Sequence, residues 1–270
     1  MWKRTRLISG FGGLAALICV TAAEGQSAFQ SPRNYDVVSL EMLRPRFDVG
    51  GTSLTTAAYS AAYYFGLGKT GRLFLTASLP VSHAAFDGGN AETALGNPYL
   101  GVTLFSRTDP VVYEVGITLP VASDNGGGTA GFFGDYDRFE YYQPDLLTFR
   151  PTLVYFPSRS GDWVMFTRLS PVLMIRTGSI DSEARGELLA DYAIHFYYYG
   201  PAIQAGLSFT GRAALTEDGS FAERTVHHTG ITIQKDFGAV IPGVQLRLPL
   251  DEDLRDVVDF TLGFLLVVPV

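Results

Sequence analysis

The chain has 270 residues, a formal net charge of −7, 47% hydrophobic and 17% charged residues, and one cysteine. An acidic balance argues against nucleic acid as a partner, and a single cysteine excludes a disulfide framework or a thiolate metal site. Beyond the N-terminus no stretch approaches the ~20 apolar residues of a spanning helix, so the apolar content points to another architecture.

The first residues read as an export signal. Lys3, Arg4 and Arg6 form a positive region, Leu7 to Val20 an apolar stretch, and Thr21-Ala22-Ala23 a small-residue cleavage site. Cleavage is expected near Ala23, giving a signal peptide at 1–23 and one β-barrel domain at 24–270. Cys19 follows Ile18, not the small residue that lipoprotein processing requires, so the mature chain is expected to have no cysteine. Loss of the three cations takes the charge from −7 to −10.

Downstream, period-two alternation dominates, the mark of a strand with one apolar and one polar face. Strands are predicted near 36–48, 53–65, 72–84, 94–106, 110–122, 145–157, 162–175, 186–199, 201–214, 223–235, 240–249 and 257–268. The clearest is 110–122, where Val111, Tyr113, Val115, Ile117, Leu119 and Val121 alternate with Val112, Glu114, Gly116, Thr118 and Pro120. Each stretch is long enough to cross a bilayer at a tilt of roughly 45°, which takes ~9–11 residues. The alternation in 36–48 and 162–175 does not settle which face is which.

Connections alternate in length. Those at Gly66–Gly71, Ser106–Pro110, Pro157–Asp162, Gly200 and Asp236–Gly238 are short and carry turn residues. Those at 85–93, 123–144, 176–185, 215–222 and 250–256 are long and hold Asp135, Asp137, Asp181, Glu217, Asp218, Asp251 and Asp253; only Gly50-Gly51 is brief in that set. Short periplasmic turns and long external loops are the rule for outer-membrane barrels. The expected fold is therefore all-β: a closed, antiparallel, up-and-down transmembrane barrel of about twelve strands in the cell outer membrane, with both termini in the periplasm. Aromatic clusters at Tyr63-Tyr64-Phe65, Phe139–Tyr142 and Phe196–Tyr199 are expected to form interfacial girdles.

At 94–101 the sequence reads Ala-Leu-Gly-Asn-Pro-Tyr-Leu-Gly, after Leu79-Pro80 and a Gly-rich loop. This resembles a family of outer-membrane barrel transporters named for the phenol meta-cleavage degradation pathway and related to the fatty-acid channel superfamily. The shared features are a Gly-Asp-Pro-type motif opening a strand, a preceding strand ending in Leu-Pro, and a signal peptide. Gly96, Asn97 and Pro98 occupy the motif, with Asn97 where an acidic residue is common; the chain ends in Val270 rather than an aromatic residue. The resemblance implies uptake of small, hydrophobic or aromatic compounds.

The polar phase of the strands places Glu114, Arg150, Arg168, Asp191, His195, Arg212, Gln234, Arg247 and Asp259 in the lumen. Buried charges must pair or be hydrated, so these residues form either an ion-pair network or a selectivity lining. The 123–144 segment, with Gly126-Gly127-Gly128 and Gly131, is the loop best suited to fold inward; otherwise it is a surface loop. No histidine has a serine two residues away on its own strand, the same-face spacing that a Ser–His pair needs, and His227 and His228 point to opposite faces, which prevents joint chelation. No catalytic residue, metal or cofactor is expected. The sequence points to a channel or transporter, with a closed structural or surface-interaction barrel as the alternative and a membrane-embedded lipid hydrolase third. Expected partners are outer-membrane lipid, lipopolysaccharide and a small-molecule solute, with no nucleic acid; oligomeric state is left open.

Overall fold

The computed structural model describes residues 35–47, 54–68, 71–86, 90–178 and 186–270. The expected signal peptide with Cys19, the Gly50-Gly51 connection and Asp181 lie outside the described residues. The strands are β1 Val37–Phe47, β2 Leu54–Leu67, β3 Leu73–Phe86, β4 Ala91–Leu95, β5 Tyr99–Phe105, β6 Val111–Thr118, β7 Leu146–Ser160, β8 Trp163–Arg176, β9 Gly186–Tyr199, β10 Ile203–Ala214, β11 Thr225–Lys235, β12 Ile241–Pro249 and β13 Val258–Pro269.

Antiparallel pairing runs β1–β2–β3–β5–β6 and onward to β13, which pairs back with β1. The result is a closed twelve-stave barrel with one extra strand, β4, on the loop-side half of β3. Closure leaves no free edge, the condition for crossing lipid with strands. Tyr35 and Asp36 lie beside the other chain end, where the Val270 N–H donates to the Asp36 carbonyl (3.0 Å), at the end of the barrel carrying the short turns. Gly68, Gly71, Gly161 and Gly238 there adopt positive φ of 58° to 82°, a conformation that glycine takes without a Cβ penalty.

Outward residues form an apolar belt. Tyr113, Val115 and Ile117 are exposed on β6, while Val112, Glu114, Gly116 and Thr118 face inward. Leu40, Leu169, Leu207 and Ile231 continue the belt, each about half exposed. A surface of this kind belongs in lipid rather than water, and it makes the molecule an outer-membrane barrel. Tyr63, Phe65 and Phe196 join the belt, whereas Tyr64 and Tyr197 are buried in the interior. Phe139–Tyr142 are no girdle: they are buried inside the barrel.

The predicted strand 94–106 is two strands. β3 pairs Leu73–Ser78 with β5 and Val81–Ala85 with β4, and Gly96-Asn97-Pro98 fills the break. Pro80 and Pro98 both lack an N–H, so the ladder cannot run unbroken past them. The interior is layered. Its turn-side half packs Val112, Val154, Phe156, Phe166, Tyr197 and Val267 into one apolar cluster, so in that half both faces of the wall are apolar.

Candidate functional site

Beyond Thr118 the chain leaves the wall and enters the lumen. Helix α1 (Gly126–Gly134) is followed by 3-10 turns over Tyr136–Tyr141, kinked at Arg138. α1 contains Gly126, Gly127, Gly128, Gly131 and Gly134, each disfavoured by roughly 1 kcal/mol relative to Ala in a helix, so its own propensity does not hold it. Close docking does: a Cβ on Gly127 would lie 2.8 Å from the Ala94 backbone N, and one on Gly131 would lie 2.3 Å from the Tyr142 ring. Ser82 Oγ donates to the Gly127 carbonyl (2.6 Å), and Asn125 caps the helix by accepting from the Gly128 N–H.

The Gly-Asn-Pro break clamps this segment. Asn97, fully buried, accepts at Oδ1 from the Val121 and Ala122 N–H groups (2.7 Å each). Its Nδ2 donates to the carbonyls of Glu140 (2.9 Å) and Gln143 (2.6 Å), and its own N–H donates to the Tyr141 carbonyl (2.6 Å). One amide side chain thus ties the start of the segment to its end. Gly96 permits the approach, since a Cβ there would meet the Tyr141 carbonyl oxygen at 2.5 Å.

Ion pairs bind the segment to both sides of the wall. Arg138 joins Glu41 of β1 (2.5 Å) and Asp135 (2.6 Å); Arg247 of β12 joins Glu41 (2.9 Å), Asp135 (3.1 Å) and Asp137 (3.3 Å). Across the lumen, Glu140 places one carboxylate oxygen on Arg150 of β7 and the other on Arg212 of β10 (3.1 Å). Asp191 of β9 holds the same two arginines, at 3.0 Å and 2.6 Å. The Arg212 guanidinium lies over the Phe139 ring, 4.7 Å from its centroid. Because its partners come from β1, β7, β10 and β12, the segment is a plug that fills the loop-side half of the lumen. Burial raises the Asp135 carboxyl above its ordinary value against the pull of Arg138 and Arg247, and pushes the Tyr142 phenol up, so it stays neutral.

Arg150, Arg212, Arg247 and Asp191 are thus brought together in the plug network. Glu114 is buried and accepts from the Tyr99 hydroxyl. Gln234 and Arg168 are buried on β11 and β8, and His195 is buried on β9 with its Nδ1 2.8 Å from Ser208 Oγ and its ring stacked on Phe166 at 4.3 Å. This Ser–His pair corrects the search along single strands: the β9–β10 register sets Ser208 directly opposite His195. The pair faces the lumen, not lipid. Asp259 is the other correction. A bulge sets Phe47 opposite Val258 and Arg46 opposite Phe260, so Asp259 turns outward, half exposed, 3.7 Å from Arg46. His227 and His228 do point apart, toward Tyr192 (2.7 Å) and Asp137 (3.7 Å) respectively.

Sequence reasoning missed Glu41, because Val37 and Leu43 on one face of β1 and Leu40 and Met42 on the other conceal its phase. It also missed the roles of Asp135, Arg138 and Glu140, since a loop carries no face periodicity. A cavity of about 30 Å³ between plug and wall, lined by Arg138, Arg150, Arg168, Asp191 and Arg212 among others, has room for water and nothing larger. The larger hollows, about 860 and 590 Å³, involve the outer wall at Leu40, Tyr59 and Phe264 and at Phe65, Leu75 and Val115.

No family model matches the chain, and no curated protein matches it. Solved structures do. The COG4313 outer membrane channel from Pseudomonas putida F1 superposes with a TM-score of 0.63 at 13% identity, over 90% of this chain and 98% of that one. The NanC porin gives 0.51 at 9% identity over 86% and 100%, and LpxR from Salmonella typhimurium gives 0.52 at 9% over 87% and 100%. The chain has the barrel fold of outer-membrane channels, in agreement with the resemblance carried by residues 94–101.

Proposed function

We propose that this barrel is an outer-membrane channel for small molecules, closed at rest by the 126–142 plug and opened when the plug moves. The observation that carries the reading is the kind of contact that holds the plug. Beside the apolar packing of Phe139, Tyr141 and Tyr142 on the wall, it is tied by ion pairs and by one asparagine clamp, which can exchange for water or solute, and its Gly-rich helix has little stability once undocked. Likeness to channel and porin folds supports the same reading. The resemblance at 94–101 favours small, hydrophobic or aromatic solutes, and the apolar belt supports outer-membrane lipid and lipopolysaccharide as the proposed surroundings.

A second reading, a structural barrel with a permanently closed lumen, is favoured by the turn-side apolar cluster around Phe156 and Phe166. No catalytic role is assigned. The His195–Ser208 pair lies among buried side chains of the inner wall, away from any lipid substrate. Swelling of proteoliposomes in arabinose separates the two readings. The channel reading expects faster swelling when residues 126–141 are replaced by a short Gly-Ser linker; a folded variant that swells no faster than empty liposomes favours the closed barrel.

A further inference from the structure

The plug occupies the wall arginines as a ligand would. Glu140 spreads its carboxylate over two guanidiniums, one oxygen each, while Phe139, the adjacent residue, lays its ring on Arg212. The segment therefore presents an aromatic ring beside a carboxylate to a site built by β7 and β10. At this point the wall supplies the cations Arg150 and Arg212 and one carboxylate of its own, Asp191, which holds both, while the plug supplies the second carboxylate that balances the pair. Arginine forks recognise carboxylates with geometric selectivity, and their faces accept aromatic rings.

From this arrangement we infer that Arg150 and Arg212 form the solute site of the channel, and that its ligand class is small carboxylates, with aromatic acids favoured. The inference rests on the channel reading and names its substrate class. Glu140 and Phe139 are the resident competitor. The neighbouring cavity of about 30 Å³ holds no more than water, so an aromatic acid does not bind beside the plug; it takes the plug's place. Binding and opening are then coupled: the acid pairs with Arg150 and Arg212, its ring replaces Phe139, and the 3-10 turns over Tyr136–Tyr141 lose their hold on β7 and β10.

The test is calorimetric titration of the refolded full-length mature barrel with sodium benzoate and, as the neutral counterpart, benzyl alcohol. Wild type, Glu140→Gln and the 126–141 deletion are compared, each shown to be folded by heat-modifiable gel mobility. Glu140→Gln keeps the shape of the competitor and removes its charge, so benzoate should bind at least ten-fold tighter than to wild type, with benzyl alcohol unchanged. The deletion removes Glu140 and leaves both arginines with Asp191 alone, and should bind benzoate at least as tightly as Glu140→Gln, so the prediction survives if Glu140→Gln does not fold. Equal benzoate affinity in all folded forms, or an equal gain for benzyl alcohol, overturns the inference. Because titration reads binding without conduction, a barrel that binds benzoate yet passes no solute after plug deletion refutes the channel reading alone. One that passes solute without preferring benzoate refutes only the assignment of carboxylates.

Discussion

Asn97→Asp is the sharpest perturbation of the plug, because it swaps one heavy atom and abolishes two hydrogen bonds. Nδ2 donates to the carbonyls of Glu140 and Gln143 at 2.9 and 2.6 Å; a carboxylate oxygen in its place faces two acceptors. Each buried carbonyl left without its donor costs about 1–3 kcal/mol, so the two together weaken docking by about 2–6 kcal/mol. The two bonds that Oδ1 accepts from Val121 and Ala122 remain, so the wall and the entry to the plug stay in place while its exit, left with the Asn97 N–H bond to the Tyr141 carbonyl, loosens. Hydrogen exchange reads this directly at the amides of Asp135, Arg138 and Tyr142, which donate within the plug to Gly131, Asp135 and Phe139. A loss of about 2 kcal/mol accelerates their exchange roughly 30-fold, with the strand amides unaffected. Plug protection unchanged from wild type in a folded Asn97→Asp barrel would refute the clamp.

Gly96→Ala drives a methyl into the Tyr141 carbonyl and Pro80, neither of which can swing away. A loss of about 1–3 kcal/mol is expected, visible as a lower temperature for heat-modified mobility. Arg247→Met removes a cation shared by Glu41, Asp135 and Asp137, and breaking a buried pair from one side costs about 3–5 kcal/mol. Protease cleavage within 126–142 should follow while the barrel stays folded. Tyr99→Phe removes the hydroxyl that donates to buried Glu114, a hydrogen bond worth about 0.5–1.5 kcal/mol, and should lower thermal stability without raising plug exchange. Arg46→Ala, by contrast, touches only the exposed pair with Asp259 and should leave stability within about 0.5 kcal/mol of wild type.

The barrel is legible in the sequence because each stave repeats one physical rule, apolar toward lipid every second residue, as β6 does from Val111 to Thr118. The rule fails where something local breaks parity. The bulge opposite Phe47 turns Asp259 out, and Pro80 with Pro98 splits the fourth stave. The turn-side lumen is apolar on its inner face too, which hides Val154, Phe156 and Phe166 from an inside-is-polar reading. Arg150, Arg212 and Arg247 could be placed because they sit on clean strands. Their partners could not: Asp135, Arg138 and Glu140 come from a segment whose position is set by contacts far away in sequence, among them Arg138 with Glu41 and Arg247 with Asp135. The Gly run marked that segment as unusual, and the physical reason emerges only in the fold, where a side chain on Gly127 or Gly131 would collide with the wall or with Tyr142.

Single-channel recording of the refolded mature chain beside the variant lacking residues 126–141 decides whether the plug closes a pore. A mostly closed wild type and stepwise, sustained conductance in the variant are expected. A folded variant as silent as wild type would overturn the channel reading and leave the apolar turn-side cluster as a permanent seal.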